Sequence, residues 1–254
     1  MRRCPLLKVV RLTHRFGRFT ALSDVSLEVA HEALAALIGP NGAGKTTFYN
    51  AISGRFPPTS GHVFFDGVEI TGRPAHQLAR DGLVRSFQVT NVFPHLSVRD
   101  NVLVPLVLAA GKGFSIFGSM AGQRRLRERA EAVLADLGLD DFGDQPVRDL
   151  AYGDQRLVEM AIVLARSPRL VLLDEPTAGM TPEETDRMVE LIRDLAGRGE
   201  THFFITEHDM RVVFSVATRI FVLHQGRLLA DGTPAEIREN PEVRSAYLGG
   251  SLDA

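Results

Sequence analysis

Residues 34 to 53 read Leu34-Ala35-Ala36-Leu37-Ile38, then Gly39-Pro40-Asn41-Gly42-Ala43-Gly44-Lys45-Thr46-Thr47, then Phe48-Tyr49-Asn50-Ala51-Ile52-Ser53. The first block is a short unbroken apolar run, the pattern of a strand buried on both faces. The second satisfies G-x-x-x-x-G-K-[ST], and from Lys45 to Ser53 the pattern is helical. Strand, glycine-rich loop and helix in that order form the context in which this pattern cradles phosphate. Glycines let successive backbone N–H groups converge on phosphate oxygens, and the helix N-terminus adds partial positive charge. In such a loop Lys45 reaches the β- and γ-phosphates, and the Thr46 hydroxyl faces Mg²⁺.

Outward from this stretch, short apolar runs alternate with helical patterns. Leu170-Val171-Leu172-Leu173, His202-Phe203-Phe204-Ile205-Thr206 and Ile220-Phe221-Val222-Leu223 read as further strands. Thr181-Pro182-Glu183-Glu184 reads as an N-cap, a proline at the first helical position and a capping-box glutamate. Met188, Leu191, Ile192 and Leu195 then recur at helical spacing, and Thr233-Pro234-Ala235-Glu236 opens a later helix in the same way. The alternation predicts an α/β fold with a largely parallel sheet. Between about 90 and 165 strand-like runs are scarce. Leu126, Ala130, Val133, Leu134 and Leu137 form a helical stripe that Gly138 is placed to terminate, so this region reads as a helical insert. Gly111 to Gly122 reads as a loop.

Composition narrows the class. The 254 residues are 44% hydrophobic and 24% charged, which excludes disordered, collagen-like and disulfide-scaffold chains. The net charge of −2, from 29 basic and 31 acidic residues, gives no electrostatic reason to expect nonspecific nucleic-acid binding. The single cysteine, Cys4, cannot form an internal disulfide. The most apolar stretch, Val102 to Ala110, contains Pro105 and falls well short of the ~20 residues needed to span a bilayer. The start of the chain lacks a secretory-signal pattern, and the expectation is a soluble intracellular chain.

Two more segments carry chemistry. Leu170-Val171-Leu172-Leu173-Asp174-Glu175 is an apolar strand ending in two carboxylates. After a phosphate loop, Asp174 suits the Mg²⁺ shell and Glu175 suits orientation or deprotonation of an attacking water. Leu150-Ala151-Tyr152-Gly153-Asp154-Gln155-Arg156 precedes an apolar helix running from about Leu157 to Ala165. Tyr152 and Gly153 therefore stand at a helix N-terminus, which is a potential anion site or a plain cap.

Taken in order, Gly39–Thr46, Gln88, Leu150–Asp154, Leu170–Glu175 and His208 resemble the motif series of the nucleotide-binding subunits of ABC transporters. The resemblance covers nearly the whole chain. It implies a P-loop NTPase RecA-like core (1–89 and 166–254) with an N-terminal antiparallel β subdomain and an inserted α-helical subdomain (about 90–165). It also implies a head-to-tail dimer that sandwiches two ATP molecules with Mg²⁺, each between one P-loop and the other subunit's signature segment. By position, Phe16 stacks on adenine, with core packing as its bland alternative. Gly39, Pro40, Asn41, Gly42, Ala43, Gly44, Lys45, Thr46 and Thr47 bind ATP, and Thr46, Gln88 and Asp174 attend Mg²⁺. Glu175, His208 and Gln88 are the catalytic set, with His208 as the switch histidine. Ala151, Tyr152, Gly153 and Asp154 form the signature presented in trans.

Two departures stand out. The family's usual signature serine is Ala151, and Tyr152-Gly153-Asp154 replaces Gly-Gly-Gln. The lost hydroxyl removes one phosphate hydrogen bond, a contribution of about 1 kcal/mol. After Pro176, Ala178-Gly179-Met180-Thr181 replaces a Ser-Ala-Leu-Asp type loop. Leu-Ala-Tyr-Gly, Ala-Gly-Met-Thr-Pro-Glu-Glu, Glu-His-Asp-Met and the C-terminal Ala-Asp-Gly-Thr-Pro-Ala-Glu-Ile resemble the ATP-binding subunits of branched-chain amino acid importers. Urea or amide importers share much of this pattern. The implied partners are a second ATP-binding subunit, identical or related, transmembrane permeases and, indirectly, a periplasmic solute-binding protein. The implied location is peripheral, on the cytoplasmic face of the cell membrane. Soluble ABC proteins acting on nucleic acid usually carry two nucleotide-binding halves, a long coiled coil or zinc cysteines, and these are missing here. Phe93 beside Pro94 suits either a docking groove for a permease helix or packing inside the helical subdomain.

Overall fold

The computed structural model describes residues 4–31, 34–86, 92–110 and 120–247, with backbone alone for 120–123. Its elements begin with β1 (Leu7–Phe16), β2 (Phe19–Val29), β3 (Leu34–Ile38), α1 (Lys45–Ile52), β4 (Ser60–Phe65), β5 (Val68–Glu69), α2 (Ala75–Asp81) and β6 (Leu83–Arg85). Helices α3 (Val98–Ala109), α4 (Met120–Asp136) and α5 (Tyr152–Leu164) follow, then β7 (Leu170–Asp174) and α6 (Pro182–Gly197). The chain finishes with β8 (His202–Thr206), α7 (Met210–Val216), β9 (Arg219–His224), β10 (Arg227–Gly232), α8 (Pro234–Glu239) and α9 (Pro241–Ala246). These elements fall into two compact units. One comprises Met1–Arg85, Arg169–Pro176 and Ile192–Ala254; the other comprises Ser86–Pro168 and Thr177–Leu191.

The first unit holds two sheets. A four-stranded antiparallel sheet has the order β2-β1-β4-β5, and a six-stranded sheet has the order β10-β9-β3-β8-β7-β6. In the larger sheet β9, β3, β8, β7 and β6 run parallel, and β10 pairs antiparallel at one edge. Every residue of β3 and β7 is buried, as expected of central parallel strands covered on both faces. Burial along β2 instead largely alternates, the mark of a sheet with one wet face. Phe48 and Tyr49 of α1 and Phe204 and Phe221 of the sheet are all fully buried. Phe204 meets Phe48 and Phe221 edge-on, with ring centroids 6.3 and 5.9 Å apart. Burying each such ring contributes about 1.5–3 kcal/mol, which anchors α1 on the sheet.

The second unit is helical. Val98, Val102 and Leu106 of α3 are buried at four-residue spacing, together with Ala130 and Leu134 of α4 and Leu157, Val158 and Ala161 of α5. Ser97 caps α3 by accepting from the Asp100 N–H at 3.0 Å. The wholly buried Asn101 ties down the preceding turn, accepting from Phe93 N–H at 2.7 Å and donating to Phe93 O at 3.0 Å. The loop expected over Gly111 to Gly122 is corrected at its end, because α4 already starts at Met120; 111–119 lie outside the described residues. Gly138 has φ +65° and closes the turn after α4, as its place in the sequence predicts.

Candidate active site

Three neighbouring parallel strands, β3, β8 and β7, bring their C-terminal ends together, the usual location of a ligand crevice in an open α/β sheet. β3 runs into the Gly39–Gly44 loop, and β7 ends in Asp174 with Glu175 next. β8 ends at Thr206, two residues before His208. The loop needs its glycines. At Gly39 (φ +157°) a Cβ would lie 2.2 Å from the Leu223 carbonyl oxygen. At Gly44 (φ +104°) it would lie 2.8 Å from the Ala21 carbonyl oxygen. Gly42 faces open space, with no atom within 4 Å of a notional Cβ.

Lys45, the first residue of α1, is buried and turns its ammonium back onto the loop. Nζ donates to Gly39 O at 2.6 Å and to Pro40 O at 3.3 Å. Burial holds its pKa below the ordinary lysine value, opposed by the negative charges of Glu175 and Asp174. These opposing charges make Lys45, Asp174 and Glu175 electrostatic neighbours. Thr46 is exposed, and Thr47 is partly so.

Asp174 is held on both oxygens. Thr206 Oγ1 donates to Oδ1 at 2.6 Å, and Arg85 Nη2 donates to Oδ2 at 2.6 Å. Both side chains of the Arg85–Asp174 pair are buried. Arg85 Nη1 donates to Asn50 Oδ1 at 2.6 Å, and its guanidinium lies 5.7 Å from the Tyr49 ring centroid. Burial pushes the Tyr49 phenol well above its ordinary value. Sequence reading missed Arg85, Thr206 and Asn50, since Arg85 and Asp174 lie 89 residues apart along the chain and no local spacing signals the pair.

Glu175 adopts φ +51°, the left-handed region that costs a non-glycine residue on the order of 1 kcal/mol. Its N–H donates to Thr206 O at 2.9 Å, which fixes this conformation. The backbone reversal turns its carboxylate toward His208, whose Nε2 lies 2.6 Å from Glu175 Oε1. His208 is half exposed and Glu175 a quarter exposed, so the pair faces the open side of the crevice. At the end of β1, Phe16 is 52% exposed, which removes core packing as its role. His14 meets it edge-on at 4.6 Å and stacks on Phe56 at 4.3 Å, and Phe56 also meets Phe16 edge-on at 5.8 Å. An exposed ring braced by two others makes a ready stacking face. Gln88 lies outside the described residues.

The second unit carries Ala151, Tyr152, Gly153 and Asp154. Ala151 is the N-cap of α5 and offers no side-chain hydrogen bond. Tyr152 is exposed, and Asp154 pairs with Arg187 at 3.1 Å. Gly153 N–H donates to Glu184 Oε1 at 3.0 Å. The Thr181 N–H, then that of Gly153, hold the Glu184 carboxyl below its usual range.

Among the described residues no three His, Cys, Asp or Glu side chains gather into a metal cage. Mg²⁺ does not require one, since it keeps several waters and takes one or two carboxylates alongside substrate phosphates. Two of the roughly four lone-pair positions of the Asp174 carboxylate are used, leaving hard oxygen for such an ion, and Thr46, one residue after Lys45, is exposed. The donor set fits.

Comparison with known proteins places this geometry. The ABC transporter family profile matches residues 22–178, and that of the branched-chain amino acid ATP-binding cassette transporter matches residues 227–253. The chain is 41% identical over 250 residues to the high-affinity branched-chain amino acid transport ATP-binding protein BraF of Pseudomonas aeruginosa, covering 96% of this chain and 98% of BraF. It is 40% identical over 250 residues, at the same coverages, to LivG of Escherichia coli, a protein of the same description. It is also 38% identical over 244 residues to the lipopolysaccharide export system ATP-binding protein LptB of Acidithiobacillus ferridurans, covering 96% of this chain and 97% of LptB. Among solved structures, the ADP conformation of MJ1267, an ATP-binding cassette of an ABC transporter, superposes with a TM-score of 0.86 at 27% identity, over 97% of this chain and 99% of that one. The chain thus belongs to the ABC transporter family, and it is an ATPase subunit of that family's kind.

Proposed function

We propose that this ATPase powers the import of branched-chain amino acids through permease partners, with Lys45, Asp174, Glu175 and His208 as its working residues. The observation that carries the chemistry is the convergence of these four side chains on adjacent strand ends. On binding ATP, Lys45 exchanges its carbonyl partners Gly39 and Pro40 for β- and γ-phosphate oxygens, which recovers the cost of its burial. Gly39, Pro40, Asn41, Gly42, Ala43, Gly44 and Thr47 supply the surrounding loop, and Phe16 supplies the adenine platform. Thr46, Asp174 and Gln88 are the residues that hold Mg²⁺, which supplies charge neutralisation at the phosphates when bound. Glu175 orients or deprotonates the attacking water. His208 Nε2, donating to Glu175 Oε1, aims that carboxylate and stands ready to meet the γ-phosphate.

Completion of the site comes from Ala151, Tyr152, Gly153 and Asp154 of a second ATP-binding subunit. The structure of the ATP-binding cassette MJ0796 bound to ADP and Pi is described as dimeric, and it aligns with this chain at a TM-score of 0.74 and 25% identity. Among the described residues no helix is long and apolar enough to cross a membrane. The subunit is therefore read as peripheral, held at the cytoplasmic face of the cell membrane by permeases, with a periplasmic solute-binding protein delivering cargo. The branched-chain assignment is supported by the match over residues 227–253, a segment outside the nucleotide machinery. Reconstitution of the chain with its co-encoded permeases and binding protein in proteoliposomes tests it. ATP-driven uptake of labelled leucine or isoleucine is expected, and uptake of urea or short amides alone overturns the cargo assignment.

A further inference from the structure

Three consecutive residues at the start of α5 are each bonded to the Thr177–Leu191 segment of the same unit. Tyr152 OH donates to Ala178 O at 3.2 Å, Gly153 N–H donates to Glu184 Oε1 at 3.0 Å, and Arg187 Nη1 donates to Asp154 Oδ1 at 3.1 Å. The middle contact carries the most consequence. Gly153 N–H is a first-turn amide of a helix, a donor with no partner inside that helix. The N-cap at Ala151 gives it no side-chain acceptor. Glu184 fills this role from another helix, packed so closely that a Cβ at Gly153 would lie 2.4 Å from Oε1. The second oxygen, Oε2, accepts the Thr181 N–H at 2.9 Å and belongs to the capping box that starts α6. One carboxylate therefore serves two helix N-termini, with one oxygen for each.

We propose that Glu184 is a further residue of the γ-phosphate site: an intramolecular anion that holds the Gly153 amide in the free subunit and must withdraw before ATP phosphate takes its place. The proposal rests on the reading that the signature turn meets ATP bound to a second subunit. An N–H carries one hydrogen, and a carboxylate bonded to it both occupies that hydrogen and repels an approaching phosphate. Helix N-termini favour anions of either kind, so the two compete for one place. Withdrawal leaves α6 capped, because the Glu184 N–H still donates to Thr181 Oγ1 at 3.3 Å, a bond that does not use the carboxylate. A cavity of about 90 Å³ beside the contact, lined by Leu157, Met180, Arg187 and Met188 among others, gives the carboxylate room to move. Ala151 explains why the competitor is needed. A serine hydroxyl there would be the natural acceptor for the first-turn amides, and without it Glu184 fulfils the helix's demand.

The test uses the full chain carrying Glu175→Gln, so that bound ATP is not consumed, and follows dimerisation by sedimentation velocity with saturating Mg·ATP. Adding Glu184→Gln keeps the side-chain length and the capping box and removes only the charge. Dimers are expected at about five- to tenfold lower protein concentration, the effect of relieving one charge-assisted contact. With ADP the two chains should behave alike. Equal or weaker ATP-dependent dimerisation by a folded Glu184→Gln chain overturns the competition. A Glu175→Gln chain that stays monomeric in ATP overturns instead the trans reading beneath it. If Glu184→Gln does not fold, Glu184→Asp, which keeps the charge but shortens the reach, carries the same test, and dimerisation no tighter than the parent's again overturns the proposal.

Discussion

The Asp174 network of the first unit and the signature turn of the second are both small polar constellations at element ends, yet they are held in opposite ways. Around Asp174 the partners are interior. Arg85, Thr206 and Asn50 converge where the ion pair is all but sealed from solvent, at the end of β7, a strand buried along its whole length. At the signature turn the partners are surface groups: an exposed tyrosine, an Arg187 half in solvent and a Glu184 divided between two helices. A buried pair is expensive to break, because removal of one charge strands the other. Surface contacts of this kind exchange partners at little cost. On the proposed reading, hydrolysis uses the immobile carboxylate frame, and the turn read as meeting a second subunit uses contacts that can be traded.

Mutations can break or sharpen this contrast. The largest effect is expected at Glu175, which sits on the rigid frame but faces the crevice. Glu175→Gln should retain ATP binding by calorimetry and lower phosphate release by about 10²-fold or more. Near-normal turnover would remove Glu175 from its assigned role. Arg85→Met should cost about 3–5 kcal/mol in urea unfolding, since it leaves the Asp174 carboxylate buried without its cation. A loss below about 1 kcal/mol would place that pair in the same class as the surface contacts. Lys45→Ala should weaken ATP binding about 10- to 100-fold, the value of lost charge-assisted contacts to phosphate, with little change in the unfolding midpoint.

Smaller effects belong to the second unit. Ala151→Ser should change stability by less than about 0.5 kcal/mol in a thermal melt, because Glu184 already accepts the Gly153 N–H that a serine hydroxyl would cap. A gain of about 1 kcal/mol would mean that the Glu184 contact leaves that helix end unsatisfied. Phe93→Asp should change stability by less than about 0.5 kcal/mol, because the side chain is 51% exposed and the turn is held through Asn101 and the backbone. ATPase activity should persist while co-purification with permeases falls. Persistent assembly would exclude Phe93 as a docking residue, and unfolding would return it to the core.

The phosphate loop was legible from residues 34 to 53 alone, since every element of its geometry is local: a buried strand, glycines where the backbone closes on itself, and a helix start carrying Lys45. The four strands at 34–38, 170–173, 202–206 and 220–223 were legible for the same reason, and all four lie in the six-stranded sheet. The capping boxes at Thr181 and Thr233 form as their spacing predicts. The start of α4 was not legible, because Met120 to Gly122 includes a glycine that propensity places in a loop.

The sequence by itself determined the motifs, the α/β class and the family resemblance, because each rests on spacing within a short run of chain. Only the tertiary structure decided which groups surround those motifs. Arg85 reaches Asp174, Thr206 braces the same carboxylate, Glu175 is turned to His208 by a left-handed backbone, and Glu184 caps a helix it does not belong to. These contacts join residues 31 to 89 positions apart, and they arise from strand order and helix packing. The physical reason is that a hydrogen bond depends on distance in space, and chain separation carries no information about it until the sheet is assembled.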